Sequence, residues 1–260
     1  MDPARAGEAA GILWDCWRQG RRIDALPASC RPQTVEEGHA VQRALAGLTG
    51  DEVIGWKIAA TSAEGQRHIG VDGPLAGRLF GRFLRRETDA IAAGPLLMRV
   101  AEAEFAFRFA RALPARERDY AVAEVLDAVG ALHLAIEVPD SRYSDFARAG
   151  AAQLVADDAC AAFFVLGREV TGWRTLDLVA QKGALYRDGE PFSTGSGAMV
   201  LGDPRVALTW FVNDRSRRGE PVPAGTIVTT GTCCKPAAIA PGARVEARFE
   251  GLGSVTIRFE

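Results

Sequence analysis

Between Val100 and Phe109 the chain alternates as an extended strand does: Ala103, Phe105, Phe107 and Phe109 share one face, and Glu102 and Glu104 leave from the other. The run Leu132 to Val138 repeats the pattern, with Leu134, Ile136 and Val138 on one face and His133, Ala135 and Glu137 opposite. Two strands that are apolar on one side and carry carboxylates among alanines on the other set the problem this chain poses.

The remaining periodicity frames these strands. An N-terminal arm is expected to be helical through about Arg31, with Ile12, Leu13, Trp17 and Ile23 as packing residues and Pro32 ending it. Thr34-Val-Glu-Glu37 is a capping box that opens a second helix through about Leu48. Short strands follow from about Val53, then a turn-rich loop from Gly70 to Gly77 and a helix from about Val122 to Val129. Thr175 to Val179 and Ala184 to Tyr186 read as strands, with Asp188-Gly189 a hairpin turn and Thr194-Gly-Ser-Gly197 a glycine-rich loop. Asp203-Pro204 opens a helix that Gly219 stops, and Val245 to Phe249 pairs with Val255 to Phe259 around Gly251-Leu-Gly253. No repeat, low-complexity tract or linker interrupts this order. The simplest description is one α/β domain, residues 51–260, with a helical arm, residues 1–50, packed on it.

Composition removes several classes of function. At 260 residues with 48% hydrophobic and 25% charged positions, the chain has an ordinary globular balance and enough length for a sizeable core. A net charge of −2 gives no electrostatic reason to expect nucleic acid or an anionic membrane as partner. No apolar run is of membrane-spanning length and no signal-peptide pattern opens the chain, so a cytoplasmic location is expected. The five cysteines show no C-x-x-C spacing, and adjacent Cys233 and Cys234 would make a strained bridge, so reduced thiols are expected. His39, His68 and His133 are too scattered for a histidine-rich metal site.

The candidate chemistry lies in the carboxylates and one lysine. Acids two residues apart also fit the solvated face of a strand. Glu102, Glu104 and Glu137, however, sit in strongly apolar runs, where an ionised carboxylate must be paired or bound to a metal. Three such groups converging from two strands would hold a hard divalent cation. Of 31 basic residues only Lys57, Lys182 and Lys235 are lysine. Lys57 lies in the apolar stretch Val53-Ile-Gly-Trp-Lys-Ile-Ala-Ala60, where it is either a snorkelling surface lysine or a desolvated amine able to move a proton. Trp56 falls on the opposite strand face and is assigned to the core. Asp140 and Arg142 are read as an ion pair beside the Glu137 strand.

Several segments, taken in order, resemble the fumarylacetoacetate hydrolase superfamily, and within it the 2-keto-4-pentenoate hydratase and 4-oxalocrotonate decarboxylase group. They are Gly55-Trp-Lys-Ile-Ala-Ala-Thr-Ser62, Ala101-Glu-Ala-Glu-Phe-Ala-Phe107, Ala135-Ile-Glu-Val-Pro-Asp-Ser-Arg142, Ala156-Asp-Asp-Ala-Cys160, Ser193-Thr-Gly-Ser-Gly-Ala198, Thr229-Thr-Gly-Thr232 and Gly251-Leu-Gly-Ser-Val255. The resemblance implies a twisted mixed β roll with flanking helices, of α/β (α+β) class, usually assembled into homo-oligomers. It implies magnesium, with manganese as the alternative, held by Glu102, Glu104 and Glu137. It further implies Lys57 as the catalytic residue and Asp157, Thr194, Ser196 and Thr232 as substrate contacts. By their residues alone, the last three are better explained as tight turns.

The activity implied is addition of water to a 2-hydroxy-2,4-dienoate, giving a 4-hydroxy-2-oxo acid in aromatic-compound catabolism. Alternatives are decarboxylation of a related 2-oxo diacid, C–C hydrolysis, and a metal-binding scaffold without catalysis. The hydrolase branch carries a His-x-x-Glu pair, which none of the three histidines here supplies. Two positions depart from the hydratase pattern. Leu75 stands where an aspartate partners the lysine, and Asp157-Asp-Ala-Cys160 replaces Asp-Asn-Ala-Ser.

Overall fold

The computed structural model describes residues 1–260. Helix α1 (Pro3–Gln19) begins with Pro3 in the first turn, the Asp2 carboxylate accepting from Ala4 N, and ends at Gly20 in the left-handed region. That glycine closes the helix well before Arg31 because its backbone N–H reaches the carbonyls of Cys16 and Trp17. The rest of the arm is irregular, and Ile23 makes a parallel bridge to Tyr143 instead of a helical turn. Helix α2 (Val35–Thr49) starts as the capping box requires: Thr34 Oγ1 accepts from Glu37 N at 3.2 Å. The Glu37 carboxylate reaches one residue further back than expected, to Gln33 N at 2.7 Å. Leu13, Val41 and Leu45 of these helices share a small core with Leu26, Tyr143 and Ala156.

The chain then builds strands β1 (Val53–Ala59), β2 (Leu75–Phe80), β3 (Leu84–Arg85), β4 (Ala90–Ile91), β5 (Val100–Phe109), β6 (Val129–Val138) and β7 (Phe163–Glu169). It continues through β8 (Lys182–Arg187), β9 (Glu190–Ser196), β10 (Ile227–Thr232), β11 (Ala237–Ala238), β12 (Arg244–Phe249) and β13 (Gly253–Phe259). Helices α3 (Ala63–Ile69), α4 (Val122–Ala128), α5 (Ala151–Ala156) and α6 (Pro204–Arg217) lie between them. The larger sheet runs β2-β1-β10-β5-β6-β7-β3 with β11 beside β5, and the smaller runs β4-β13-β12-β8-β9. β1 is parallel to β10 while β5 and β6 are antiparallel, so this is the mixed sheet architecture that the resemblance implied.

The apolar faces of the two sheets meet. Phe105, Phe107, Leu134 and Ile136 pack against Val245, Phe249, Val255 and Ile257, with the Phe105 and Phe249 rings 5.0 Å apart. Burial of these large side chains is the main stabilising term, about 1.5–3 kcal/mol each. Because period two assigns alternate residues to this core, the intervening positions of β5, β6 and β10 are left to face the other way, where the polar residues are.

Four local expectations need correction. Thr175 to Val179 is not a strand: a tight helical turn at Trp173–Thr175 follows Gly172 in the left-handed region, and the Asp177 carboxylate accepts from Val179 N and Ala180 N. The loop from Gly70 is short, since α3 precedes it and β2 begins at Leu75. Thr194 and Ser196 belong to β9 and not to a loop. Asp140 and Arg142 are not paired through their side chains: Asp140 pairs with Arg22, and Arg142 with Asp157. All five cysteines are unbridged and buried, and Trp56 lies in the core, as the sequence suggests.

Candidate active site

Four neighbouring strands bring the site together on the face turned away from the main core. In the β5–β6 ladder Glu102 stands directly opposite Glu137, and Glu104 opposite Ala135. On the other side of β5, Thr229 of β10 pairs with Ala106, and on the far side of β10 Lys57 pairs with Thr229. Residues paired across strands share a face, so Lys57, Thr229, Glu104, Glu102 and Glu137 all project to one side. One oxygen from each glutamate lies within 4.8 Å of the others. Ala106 and Ala135, the small residues on this side of the ladder, leave it free of competing bulk.

The β10 ladder is interrupted between Thr229 and Thr232, and that irregularity aims two donors at one carboxylate. Thr229 Oγ1 donates to Glu104 Oε2, and Gly231 N donates to the same oxygen at 2.8 Å. Gly231 has φ +98, and a Cβ there would lie 2.0 Å from Thr61 Oγ1, so glycine is required on both counts. The second oxygen, Glu104 Oε1, is buried and has no hydrogen-bond partner. A buried carboxylate oxygen left in this state calls for a cation.

Lys57 is the one buried ammonium of the cluster. Its Nζ lies 3.0 Å from Glu137 Oε1 and donates to Ala159 O at 3.0 Å. Burial alone would push this amine toward neutrality, but the surrounding carboxylates, Glu137 foremost, outweigh it and hold the pKa above the usual lysine value. Burial, and then like charge for the β5 pair, drives the carboxyls upward. Glu102 is raised to about 7, Glu104 well above the usual range, and Glu137 upward despite Lys57. One ammonium is too little charge for three ionised carboxylates; a divalent cation would supply what is missing. The donor set fits a hard ion: three carboxylate oxygens and no nitrogen or sulfur ligand.

The other expected positions lie elsewhere or do other work. Asp157 is fully buried, with both oxygens engaged. Its oxygens take Arg142 Nε, Ser141 Oγ at 2.7 Å and Arg142 N at 3.0 Å, which leaves none to meet a substrate. Thr194 and Ser196 line a separate groove of about 730 Å³ with Lys182, Tyr186, Arg248 and Glu250. None of the three glutamates lines that groove. Thr232 is opposite Glu104 in the ladder, but its hydroxyl donates to Cys234 O at 2.7 Å. Leu75 is buried among Val71, Leu154 and Cys160, while Asp72 is exposed, so neither puts a carboxylate beside Lys57. Glu137 and the Ala159 carbonyl take that place.

Two contributors are absent from the sequence-derived set. Thr229 was visible only as part of a motif; its alternation with core-facing Val228 on a central strand was the available signal. The Ala159 carbonyl carries no side-chain signature at all.

Comparison with known proteins identifies the family and the fold. Residues 87–260 match the family model described as fumarylacetoacetate (FAA) hydrolase C-terminal. Over 265 residues the chain is 34% identical to 2-keto-4-pentenoate hydratase of Paraburkholderia xenovorans (strain LB400), covering 100% of this chain and 97% of that one. It is 31% identical over 210 residues to 4-oxalocrotonate decarboxylase of Pseudomonas putida, covering 81% and 78% of the two chains. The solved structure of 4-oxalocrotonate decarboxylase from Pseudomonas putida G7, complexed with magnesium and adipate, superposes with a TM-score of 0.91 at 26% identity and covers 100% of this chain and 99% of that one. Motif order, sheet topology and these likenesses converge: the chain belongs to the fumarylacetoacetate hydrolase family, in its 2-keto-4-pentenoate hydratase and 4-oxalocrotonate decarboxylase group.

Proposed function

We propose that the protein is a magnesium-dependent hydro-lyase that adds water to a 2-hydroxy-2,4-dienoate and yields a 4-hydroxy-2-oxo acid. The observation that carries this reading is the combination of three convergent carboxylates with the buried Lys57 ammonium at 3.0 Å from one of them. The full-length likeness to a hydratase supports the reaction type. No helix is long and apolar enough to cross a membrane.

Glu102, Glu104 and Glu137 would hold the cation, and manganese suits the same oxygens. When bound, the ion polarises a 2-oxo group and stabilises the negative charge that develops on its oxygen. The remaining work falls to the protein. Hydration needs the dienol to ketonise, with a proton leaving the 2-hydroxyl and one arriving at C5; water then adds across C3 and C4. Lys57 Nζ, held as an ammonium, carries a proton that it can give to carbon, and the amine left behind can take one from the incoming water. The Ala159 carbonyl and Glu137 hold that nitrogen in place. Buried Leu75 and Cys160 keep the flank of the lysine apolar, and burial pushes the Cys160 thiol up to about 12, so it enters no proton transfer near neutrality.

Leu75 also favours a second reading, decarboxylation of a related 2-oxo diacid, because the aspartate that partners lysine in the hydratases is missing. Both reactions pass through the same enolate charge. The test is to mix the protein and magnesium with freshly generated 2-hydroxy-2,4-pentadienoate and follow loss of its ultraviolet absorbance. Loss that needs magnesium and disappears in Glu104→Ala supports the hydratase, with a product heavier by one water. No loss with the dienoate, but release of carbon dioxide from the diacid, would select the decarboxylase.

A further inference from the structure

Residues Asp158, Ala159 and Cys160 all have positive φ, at 56, 51 and 60 degrees, and none is glycine. Left-handed residues of this kind normally occur singly, because Cβ crowds the following carbonyl. Three in succession persist only where the surroundings dictate them. Here they do. Asp158 Oδ1 accepts from Arg78 N on β2 at 2.8 Å, which ties the turn to the sheet. Cys160 N donates to Asp157 O at 3.1 Å, Ala161 N to Asp158 O at 2.9 Å, and Asp140 N to Cys160 O at 2.9 Å. The carbonyls on either side are thus taken by backbone amides, while that of Ala159 receives Lys57 Nζ.

Gly77 makes this approach possible. It stands directly opposite Lys57 in the β1–β2 ladder, so a side chain there would project on the lysine's own face. A Cβ at position 77 would lie 2.0 Å from Asp158 O and 3.3 Å from Ala159 Cβ. The first of these is backbone and cannot rotate away.

We propose that the left-handed turn Asp158–Cys160 is a positioning device for Lys57, with Asp158 pinning it to β2 and Gly77 leaving the space it occupies. The device presents the Ala159 carbonyl to the ammonium, and with Glu137 it fixes where the nitrogen sits. It supplies, beside Glu137, a second contact for the lysine, which buried Leu75 does not provide. The inference rests on the reading of Lys57 as the proton carrier, and the experiment separates the two.

Gly77→Ala, Asp158→Ala, Asp158→Asn and Lys57→Met are compared with the parent protein by two measurements. The first is the labelling rate of Lys57 by an amine-directed reagent, mapped by mass and normalised to exposed Lys182 and Lys235. The second is kcat and KM on the dienoate with magnesium. Gly77→Ala and Asp158→Ala are expected to label at Lys57 several-fold faster. Their kcat should fall about 10–100-fold while KM stays within about twofold, as a misplaced proton carrier predicts. Asp158→Asn keeps the acceptor for Arg78 N and should behave like the parent in both measurements. If Gly77→Ala does not fold, the Asp158 pair decides. Parental labelling and kcat in Asp158→Ala, or equal losses in the Ala and Asn variants, would overturn the positioning role. Full kcat in Lys57→Met would instead overturn the reading of the lysine, and the labelling rates would still judge the turn.

Discussion

Lys57 Nζ lies 3.0 Å from Glu137 Oε1, with both side chains almost wholly removed from solvent. Breaking a buried pair by deleting one partner leaves the other charge uncompensated, typically a loss of about 3–5 kcal/mol. Lys57→Met is therefore expected to destabilise the metal-free protein by roughly 3 kcal/mol at pH 8, where the carboxylates are most ionised. Magnesium should recover part of that loss, since it compensates the same charges. Urea unfolding with and without chelator measures both. Equal stability of parent and variant in chelator would show that the pair contributes nothing.

The pKa of Glu102, raised to about 7, fixes the sign of a pH effect. In the unfolded chain a glutamate titrates near 4.3. Between those values the folded metal-free protein binds the extra proton, so stability falls as pH rises through the window, and is fully retained only below it. Glu102→Gln removes this contribution. In chelator the parent should lose stability relative to Glu102→Gln between about pH 4.5 and 7. Magnesium affinity should move the opposite way, rising with pH and releasing protons on binding, because the ligands must be ionised. Thermal unfolding of the two proteins from pH 4.5 to 8 tests the first point and calorimetry in buffers of different ionisation enthalpy the second. A pH-independent difference between the variants would contradict the assignment.

Thr229 and Gly231 both donate to Glu104 Oε2, which directs Oε1 into the cluster. Loss of a group that orients a metal ligand commonly weakens binding about 10–100-fold. Thr229→Val should therefore weaken magnesium binding by at least about tenfold, whereas Thr229→Ser should restore it to within a few-fold. Isothermal titration with magnesium distinguishes them. A valine variant that binds as tightly as the parent would mean that the ladder irregularity alone orients Glu104.

How much of this was legible in the sequence follows from the range of each signal. Period two on β5 and β6 placed Glu102, Glu104 and Glu137 on one face, because pleating is local. The pairing of Lys57 with Thr229 was not legible, since it depends on β1 lying beside β10, and no local rule connects strands so far apart in the chain. Thr194 and Ser196 were located in a motif, but the strand that carries them turns them into a groove without the glutamates. Ala159 could not have been singled out, because its contribution is a backbone carbonyl presented by three residues in a conformation their side chains do not favour.

Asp157 gives the sharpest contrast between motif and structure. As a substrate contact, its replacement by alanine would raise KM and leave stability little changed. The structure predicts the reverse. Both carboxylate oxygens are engaged by Arg142 and Ser141, and Arg142 Nη1 also donates to Asp140 O at 2.9 Å and Ala161 O at 3.1 Å, so the guanidinium ties together the segment beyond β6 and the residues before β7. Asp157→Ala strands that buried cation, a loss of about 3–5 kcal/mol, or roughly 10 °C in a chain of this size. Measured well below the lowered midpoint, KM should stay within about twofold of the parent, since no substrate contact has been removed. A large rise in KM with an unshifted midpoint would return Asp157 to the substrate site and show that the Arg142 pair is replaceable.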